Sequence, residues 1–299
     1  MKEVFEKVGA WHPDKVADRI AGALVDIAYE RSGGIAVGNP RIAVECLLGH
    51  GEALVIVETD ADIGVRDVTD TVQRLSGIEH TTVRIVPQDA HLAANQREGL
   101  RCGDNGVFRG CPVTDLQREL AALVRRLDGK FGSDMKAVMQ DDRLIVCQSN
   151  ARIDEVFHCI DDVAIGLGNA RIVQRLLLNP AQIFINPLGY WTGGSDVDCG
   201  AVNRKLGSDM GAAVTGGGLH GKDLSKSDVS VNIVCHKLAQ FYEQNVTASC
   251  AIGDKLVKFC YENGSYALIS YDKVVADARN YIIKNYDGKF EKFAEYGLI

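Results

Sequence analysis

A glycine- and lysine-rich segment is the most constraining feature of this sequence. Residues 216–228 read GGGLHGKDLSKSD, and Arg204 and Lys205 stand a few residues before them. Glycines let a backbone approach its ligand closely, and lysines supply the positive charge that a polyanion requires. The segment therefore predicts a loop that closes around one polyphosphate and grips it along its length. We expect the rest of the chain to fold so that this loop meets further polar groups.

Composition limits the class of protein. The 299 residues are 46% hydrophobic and 24% charged, which is typical of a soluble globular chain with two or three packed units. A net charge of −7 argues against a nucleic acid or an anionic membrane as partner, because these need a basic face. The N-terminal sequence MKEVFEKVGAWHPDK has no apolar signal core, and nine cysteines without a C-x-x-C pair suit a reducing compartment. We therefore expect a cytoplasmic protein with no membrane segment.

Hydrophobic periodicity predicts pairs of strands that alternate with helices. A helix begins at Pro13, a residue favoured at the first helical position, and its apolar stripe continues to Ile27. Residues 41–59 predict two strands, and two hairpins are predicted to turn at 141–142 and at 263–264. Further helices are predicted around 68–75, around 116–127, from about 154, through 233–238 and over 272–286. The pattern indicates a mixed fold with helices on one face of antiparallel or mixed sheets.

Several motifs follow one another in an order typical of one enzyme family. They are WHPDKVADRI, NQREG, CGDNG, SDMK, INPLGYWTGG, DVDCG, NRK, GGGLHGKDLSKSD and CAIGD. They resemble the signatures of the methionine adenosyltransferase, or S-adenosylmethionine synthase, family: GHPDK, GAGDQG, a PD-x-K segment, GDCGLTGRK and GGGAFSGKDPSKVDRS. The resemblance runs from about Glu6 to Ile252 and covers most of the chain.

The resemblance implies a fold and a reaction. The expected fold is α+β, with three pseudo-symmetric subdomains over about 11–105, 106–190 and 191–299, each a sheet with helices on one face. In the expected reaction, methionine sulfur attacks C5′ of ATP and expels triphosphate, which is hydrolysed to pyrophosphate and phosphate. The family also implies a homodimer in which each site draws on both chains, with pairing of dimers left open. In that arrangement the side with His12 and Lys136 faces the side with Glu58, Gln96 and Asp104.

The resemblance also implies which residues bind the triphosphate and the metals. One side chain, His12, matches the family histidine beside the leaving oxygen, which acts as hydrogen-bond donor or general acid. Asp14 and Asp228 match the carboxylates that hold two Mg²⁺ ions, and Glu45 matches a K⁺ ligand, although a strand glutamate is often an ion-pair partner. The residues implied in catalysis are His12, Lys15, Lys136, Arg204, Lys205, Lys222 and Lys226.

The substrate contacts follow from the same comparison. Asp104 matches a ribose-binding aspartate, while Tyr190 and Ile252 match an aromatic and an apolar contact to adenine; the alternative is that the last two belong to the core. The residues implied for methionine are Glu58, Gln96, Asp198 and Lys226. Those implied for ATP are Glu6, His12, Lys15, Asp104, Asp134, Lys136, Tyr190, Asp198, Arg204, Lys205, Lys222 and Ile252.

This sequence departs from the family pattern in five respects. Trp11 stands where the family has glycine, Asn105 replaces glutamine in GDQG, and GGGLHGKD is one residue shorter than GGGAFSGKD. The interval between Gln96 and Asp104 is compressed where the family carries a mobile lid, and the C-terminal tail is cut to FAEYGLI. These departures affect selectivity and rate more directly than phosphate binding.

Three other functions are compatible with parts of the sequence. Residues 216–222 satisfy the G-x-x-x-x-G-K pattern of a P-loop, but Asp223 stands where a P-loop needs Ser or Thr for magnesium. A paralogue that binds nucleotide but catalyses poorly is expected to lose His12 or the two magnesium aspartates, and this chain keeps all three. A phosphotransferase that attacks phosphorus would release ADP, which adenosyl transfer does not.

Overall fold

The computed structural model of the chain describes residues 3–91, 94, 101–140, 143–166 and 171–299. Strands and helices alternate along these ranges. The strands are β1 Val4–Val8, β2 Ile42–Gly49, β3 Glu52–Thr59, β4 His80–Val86, β5 Gly106–Gly110, β6 Met135–Gln140, β7 Arg143–Gln148, β8 Ile183–Ile185, β9 Gly200–Ala201, β10 Val246–Cys250, β11 Leu256–Tyr261 and β12 Tyr266–Ser270. The helices are α1 Pro13–Arg31, α2 Val65–Ser76, α3 Asp115–Phe131, α4 Ile153–Gly166, α5 Arg171–Leu177, α6 Leu206–Met210, α7 Ser227–Tyr242, α8 Tyr271–Tyr286 and α9 Phe290–Tyr296.

The described strands form three four-stranded sheets. Sheet A has the order β1-β6-β7-β8, sheet B has the order β4-β3-β2-β9, and sheet C has the order β12-β11-β10-β5. Sheets A and B each contain one parallel pair, β7 with β8 and β3 with β4, while sheet C is antiparallel throughout. The three similar sheets confirm the predicted α+β fold class.

Each sheet buries one face beneath helices and leaves alternate residues on the other face. In β2, Val44, Cys46 and Leu48 are buried, whereas Glu45 and Leu47 point outward. This period of two is what a half-covered strand produces, because successive side chains point to opposite faces. The larger core lies among α1, α2, α7, α8 and sheets B and C. A second core lies between sheet A and helices α3 to α5.

Helix α1 is the central helix of the larger core. Pro13 occupies its first turn, as the sequence predicts, and His12 is its N-cap. The helix is buried along almost its whole length because sheet B covers one side and α9 another. Gly22 allows the close approach of α9, since a Cβ there would lie 2.6 Å from the Phe290 carbonyl oxygen. This burial fixes the position of the residues at the start of α1.

The strand and helix predictions are confirmed in kind. Residues 135–140 pair with 143–148 and residues 256–260 pair with 266–270, so both predicted hairpins form; the 141–142 turn lies outside the described residues. Sheet A combines β1 with β6 to β8, so the strand before α1 joins a sheet made mainly of later residues. The subdomain boundaries stay a prediction.

No helix in the described ranges has the length and apolar character needed to cross a membrane.

Two glycine-to-alanine substitutions distinguish close packing from free space. A Cβ at Gly110 in β5 would lie 2.1 Å from the backbone oxygen of Cys235 in α7, so Gly110→Ala should lower the free energy of unfolding by at least about 2 kcal/mol. Gly129 lies on the exposed side of α3 with nothing within 4 Å, so Gly129→Ala should raise it by about 0.5 kcal/mol. Urea denaturation of both variants measures these changes. Equal effects of the two would contradict the packing of α7 against β5.

Candidate active site

The histidine at the start of α1 has a defined tautomer. The Asp14 backbone N–H donates to His12 Nδ1 at 3.2 Å, so the proton of the neutral ring lies on Nε2. Burial lowers the pKa of His12 to about 4; the charge of Asp14 opposes this shift, while the charges of Lys205 and Lys136 add to it. At neutral pH the ring is therefore uncharged and offers Nε2–H as a hydrogen-bond donor.

Asp14, in the first turn of α1, joins the start of this helix to two cations. Its Oδ1 accepts the Ala201 backbone N–H at 2.9 Å and lies 2.9 Å from Arg204 Nε. Its Oδ2 lies 3.1 Å from Lys205 Nζ, but the angles there do not make a hydrogen bond. The carboxylate is completely buried and keeps one oxygen without a hydrogen-bond donor. Such an oxygen suits a hard cation such as Mg²⁺.

Strands β1 and β6 of sheet A supply further charged groups. Lys136 Nζ on β6 lies 2.7 Å from Glu6 Oε2 on β1, and both side chains are 40% exposed. Beside them, Asp134 is buried and accepts the Gly194 N–H at 3.3 Å, which anchors the loop that carries Tyr190. Burial raises the pKa of Asp134 to about 6, with Asp198 and Asp14 among the charges that add to the shift. Tyr190 itself is 65% exposed, so it is not a core residue of the chain.

The glycine- and lysine-rich loop is tied to Arg204 and Lys205 through their neighbour Asn203. Asn203 Oδ1 accepts the N–H groups of Leu219 and His220 at 2.8 and 2.9 Å. A Cβ at Gly218 would lie 2.4 Å from Asn203 Nδ2, so glycine is required for this approach. The two parts of the sequence that predict phosphate binding therefore lie side by side.

Within this loop, Lys222 and Asp228 neutralise each other. Lys222 Nζ donates to Asp228 Oδ2 at 2.5 Å, and both side chains are about one-fifth exposed, at 21% and 23%. Asp228 lies in the first turn of α7, two residues after the N-cap Lys226. A Cβ at Gly217 would lie 2.6 Å from Asp228 Oδ1, so the backbone passes close to this carboxylate.

Lys15 has its own set of charged partners. It is completely buried, and its ammonium lies 2.9 Å from Asp18 Oδ2 and 2.6 Å from Asp209 Oδ2. His220 Nε2 lies 2.9 Å from the same Asp209 oxygen. Burial alone would lower the pKa of Lys15, but the charges of Asp18 and Asp209 outweigh it and raise that pKa. The structure therefore places the Lys15 ammonium in a buried charge cluster with Asp18, Asp209 and His220.

This buried cluster also resembles a metal site in composition. Among the described residues, Asp18, Asp209 and His220 are a set whose ligand atoms all lie within 4.8 Å of one another. The Lys15 ammonium, however, is within 3.3 Å of all three. A metal ion would have to displace a positive charge that already satisfies these groups, so we assign the cluster a structural role.

Two glutamates lie on the outer face of sheet B. Glu45 on β2 and Glu58 on β3 alternate with buried residues, and Ala43 lies directly opposite Glu58. Ala43 also forms a bridge with Lys222, so the glycine- and lysine-rich loop reaches sheet B beside these glutamates. Burial raises the pKa of Glu45, and the nearby charge of Lys222 opposes that shift.

Two loops that carry residues implied in nucleoside binding meet at the end of sheet C. Asp104 and Asn105 precede β5, and Asn105 Oδ1 accepts the Ile252 N–H at 2.9 Å. Asp104 is exposed, and its Oδ1 accepts the Asn105 N–H. Ile252 is 58% exposed, so it is not buried in the core of the chain. Asp198 is also exposed, whereas Gln96 lies outside the described residues.

The ring of Trp11 packs beside α1. The guanidinium of Arg19 lies 4.7 Å from the centre of the Trp11 ring, and Arg19 also donates to the Ala10 carbonyl at 3.3 Å. This cation–π contact holds the bulky indole of Trp11 against Arg19. Trp11 is 38% exposed and is therefore accommodated without displacing His12 from its N-cap position.

Sequence reasoning missed the buried supports of this site. Asp18, Asn203, Asp209 and His220 touch or flank the residues that it identified, yet none was singled out. Asp18 lies in the motif WHPDKVADRI and Asn203 in the motif NRK. Their signal in the sequence is a polar residue within an otherwise apolar element. Asp209 lies in no quoted motif, and its pairing with Lys15 spans 194 residues.

The comparisons with known proteins agree with the motif order. No protein-family model matches the chain. It is 28% identical to the S-adenosylmethionine synthase of Oenococcus oeni over 326 residues, which cover 91% of this chain and 81% of that protein. It is 27% identical to S-adenosylmethionine synthase 1 of Rhodopseudomonas palustris, with 87% of this chain and 77% of that protein covered.

A solved structure with a similar fold extends the comparison. It is described as an unusual S-adenosylmethionine synthetase from Campylobacter jejuni, with a TM-score of 0.70 at 19% identity over 100% of this chain and 94% of that one. At this identity the likeness supports the fold alone. The sequence relatives confirm the resemblance to S-adenosylmethionine synthases, whose enzyme class is methionine adenosyltransferase.

The state of His12 can be measured directly. We expect its imidazole to be neutral at pH 7, to carry its proton on Nε2 and to titrate near pH 4, below the usual value of 6.5. Since its pKa is lower in the folded chain, its contribution to stability is complete above pH 6.5 and is lost as the pH falls towards 4. Long-range ¹H–¹⁵N NMR measures tautomer and titration, and His12→Asn identifies the resonances. A midpoint near 6.5 or a proton on Nδ1 would refute this state.

Proposed function

We propose that the chain is a methionine adenosyltransferase that forms S-adenosylmethionine from ATP and methionine. The observation that carries the proposal is the convergence of three separate segments. His12 and Asp14 at the start of α1 contact or face Arg204 and Lys205, and Asn203 ties these to the glycine-rich loop. Three separate motifs thus place donors, cations and carboxylates around one region, which is the arrangement that a polyphosphate leaving group requires.

The chemistry of the leaving group explains this choice of residues. Methionine sulfur forms a bond to C5′ of ATP, and the electrons of the C5′–O5′ bond leave with the triphosphate. A thioether sulfur already has a free electron pair, so the reaction needs no base. Negative charge grows on O5′ and the phosphates as the bond breaks, and fixed donors and cations aimed there lower the barrier. The triphosphate is then hydrolysed to pyrophosphate and phosphate before these products are released.

His12 is assigned to the leaving oxygen as a hydrogen-bond donor. Its Nδ1 is already used by the Asp14 N–H, so Nε2–H is the group available to a ligand. A pKa near 4 in the free chain makes the neutral donor the resting form. A bound triphosphate would add negative charge beside the ring and raise that pKa, which strengthens the donor where charge develops.

The cations and carboxylates around His12 are assigned to the triphosphate and its metals. Arg204, Lys205 and Lys222 are held by carboxylates in this structure, and triphosphate oxygens would take over as their partners. Asp14 and Asp228 would hold two Mg²⁺ ions, which supply charge neutralisation to the phosphates. The buried Oδ2 of Asp14, which accepts no hydrogen bond in this structure, fits that role. Lys15, Lys136 and Lys226 complete the proposed set of cations.

The remaining contacts are proposed from the motifs and their positions. Glu58, Gln96 and Asp198 would bind methionine, and Glu45 would hold K⁺ with its exposed carboxylate on sheet B. Asp104 would bind the ribose, with Tyr190 and Ile252 against adenine and Glu6 and Asp134 near Lys136. The large exposed fractions of Tyr190 and Ile252, 65% and 58%, are consistent with groups that wait for a ligand or a second chain.

Apolar residues on the outer sheet faces support a homodimer with shared sites. On sheet B, Leu47, Leu54 and Ile56 are 52%, 41% and 38% exposed beside Glu45 and Glu58. On sheet C, the outward residues Val107, Leu256, Tyr266 and Leu268 are 49% to 65% exposed. Apolar faces of this extent are usually covered in the working assembly. A second copy of the chain would cover them and bring its own loops to the site.

A cytoplasmic location stays part of the proposal. All nine cysteines are reduced in the structure, and cysteine-rich chains without disulfides are typical of reducing compartments.

Product analysis tests the activity. With ATP, methionine, Mg²⁺ and K⁺, we expect S-adenosylmethionine, pyrophosphate and phosphate. His12→Asn, Asp14→Asn and Lys222→Ala should each lower kcat by at least a hundredfold, roughly 3 kcal/mol of transition-state stabilisation. Lys273→Ala is the matched control, because Lys273 is an exposed lysine whose partner is Asp277 on the same helix. ADP as product would indicate a phosphotransferase instead, and full turnover by a folded His12→Asn variant would refute the role of the imidazole.

Sedimentation tests the shared site. We expect the chain to be a dimer at working concentration and Leu54→Arg with Leu268→Arg to give monomers, because arginine on these faces would be buried without a partner charge. The monomers should keep their circular dichroism and lose most of their turnover. Val37→Arg, a change at a loop residue that is 71% exposed, is the control and should alter neither property. A fully active monomer would rule out a site built from two chains.

A further inference from the structure

Two cysteines from distant parts of the chain are in contact. Cys102 Sγ lies 2.9 Å from Cys250 Sγ, at the point where β10 ends and the segment before β5 begins. Backbone hydrogen bonds hold the two segments together: the Gly253 N–H donates to the Cys102 carbonyl at 3.0 Å, and the Cys102 N–H donates to the Asp254 carbonyl at 3.2 Å. All nine cysteines lie in the described ranges, and only this pair of sulfurs is within hydrogen-bonding distance.

The pair is close to the geometry of a disulfide. A disulfide bond is about 2.05 Å long, so bond formation requires the sulfurs to move together by just under about 1 Å. Cys102 is buried and Cys250 is 7% exposed, but the residues that follow them, Asp104 and Ile252, are exposed. One layer of surface loop therefore separates the sulfurs from solvent, which a small oxidant can cross when the loop opens.

The contact also makes one thiol reactive. The hydrogen bond between Cys250 and Cys102 lowers the pKa of Cys102 to about 7, although burial opposes this shift. The thiolate is the form of cysteine that attacks an oxidant, and a neighbouring thiol can then resolve the product. The pKa of Cys250 is raised by the same hydrogen bond, so the two sulfurs have different roles.

The pair lies beneath the two loops assigned to the nucleoside. Cys102 precedes Asp104 by two residues, Cys250 precedes Ile252 by two, and Asn105 links these loops through the Ile252 N–H. Both sulfurs also interact with the hydroxyl of Ser227, which lies between Lys226 and Asp228 at the start of α7. A covalent bond between the sulfurs would therefore shift both nucleoside loops and the end of the proposed phosphate loop.

We propose that Cys102 and Cys250 form a reversible disulfide when the protein meets a peroxide, and that this bond lowers turnover. The Cys102 thiolate attacks a peroxide oxygen and becomes a sulfenic acid, and the departing hydroxide takes a proton to form water. The Cys250 thiol then attacks the Cys102 sulfur, forms the S–S bond and releases a second water. Two thiols lose two electrons in all, and hydrogen peroxide accepts them. A dithiol reductant reverses the reaction.

The effect on turnover rests on the proposed function, whereas disulfide formation does not. Active-site groups displaced by about 1 Å can lose a hundredfold in rate, and the disulfide draws the two nucleoside loops together by a comparable amount. The bond also closes a loop of roughly 150 residues, which restricts the unfolded chain and stabilises the fold. Oxidation should therefore stabilise the protein while it slows the reaction.

Differential alkylation with peptide mass spectrometry tests the bond in the intact protein. After hydrogen peroxide treatment and quenching, we expect a peptide pair joined through Cys102 and Cys250. We also expect Tm to rise by about 5 °C and turnover to fall at least fivefold, both reversed by dithiothreitol. Cys250→Ser should show none of these changes, while Cys260→Ser on the neighbouring strand β11 should behave as the wild type.

The outcomes separate this proposal from the proposed function. A chain that makes no S-adenosylmethionine but forms the joined peptide with the rise in Tm would refute the function and retain the disulfide. Absence of the joined peptide in the wild type, or equal loss of turnover in oxidised Cys250→Ser, would overturn the disulfide switch. If Cys250→Ser misfolds, as judged by circular dichroism, Cys102→Ser and wild-type protein blocked with an alkylating agent before oxidation give the same comparison.

Discussion

The buried ammonium of Lys15 between Asp18 and Asp209 is the interaction on which the rest of the site depends. Burying charges costs several kcal/mol for each ion, and this cost is offset only when the partners are held in good geometry. The cluster therefore tolerates few arrangements of the elements that contribute to it, which are α1, α6 and the glycine-rich loop. Asp18 also accepts the Asn203 N–H, so the same cluster fixes the segment that carries Arg204. Its contribution is to specify one geometry rather than to add stability.

The charged side chains that would bind a polyphosphate and its metal ions are already paired with one another. Asp14 lies against Arg204 and Lys205, and Lys222 lies against Asp228. Unpaired cations this close together would repel each other and would scatter the side chains, whereas alternating charges keep them in place until a ligand arrives. A ligand with both phosphates and metal ions can exchange every pair at once, since it offers anions to the lysines and cations to the aspartates. Such preorganisation reduces the rearrangement that binding and reaction require.

The sequence predicted local features well and long-range partners poorly. The start of α1 at Pro13 and the hairpin that turns at Asn263-Gly264 follow from turn chemistry and periodicity, which act over a few residues. The glycine- and lysine-rich loop was proposed as a phosphate-binding loop because its charges and glycines are adjacent in sequence. Lys15 was assigned to the same ligand on resemblance alone, and only the fold shows it 2.6 Å from Asp209, 194 residues away. A buried lysine and an exposed one look alike in a sequence, because burial depends on the packing of elements whose spacing no local pattern encodes.

The outer face of sheet B would connect the proposed chemistry of the site to the proposed association of the chain. Glu45 and Glu58 share this face with Leu54 and Ile56, so whatever covers the apolar side chains also removes water from around the two carboxylates. Carboxylates that lose water need cations or hydrogen-bond donors in return, and the nearby Lys222 supplies one charge. A covering surface made only of apolar residues would leave these acids unsatisfied, so the partner of this face must bring donors or bound cations with it. Association and ligand binding are therefore expected to strengthen each other, because each supplies part of what the acids lack.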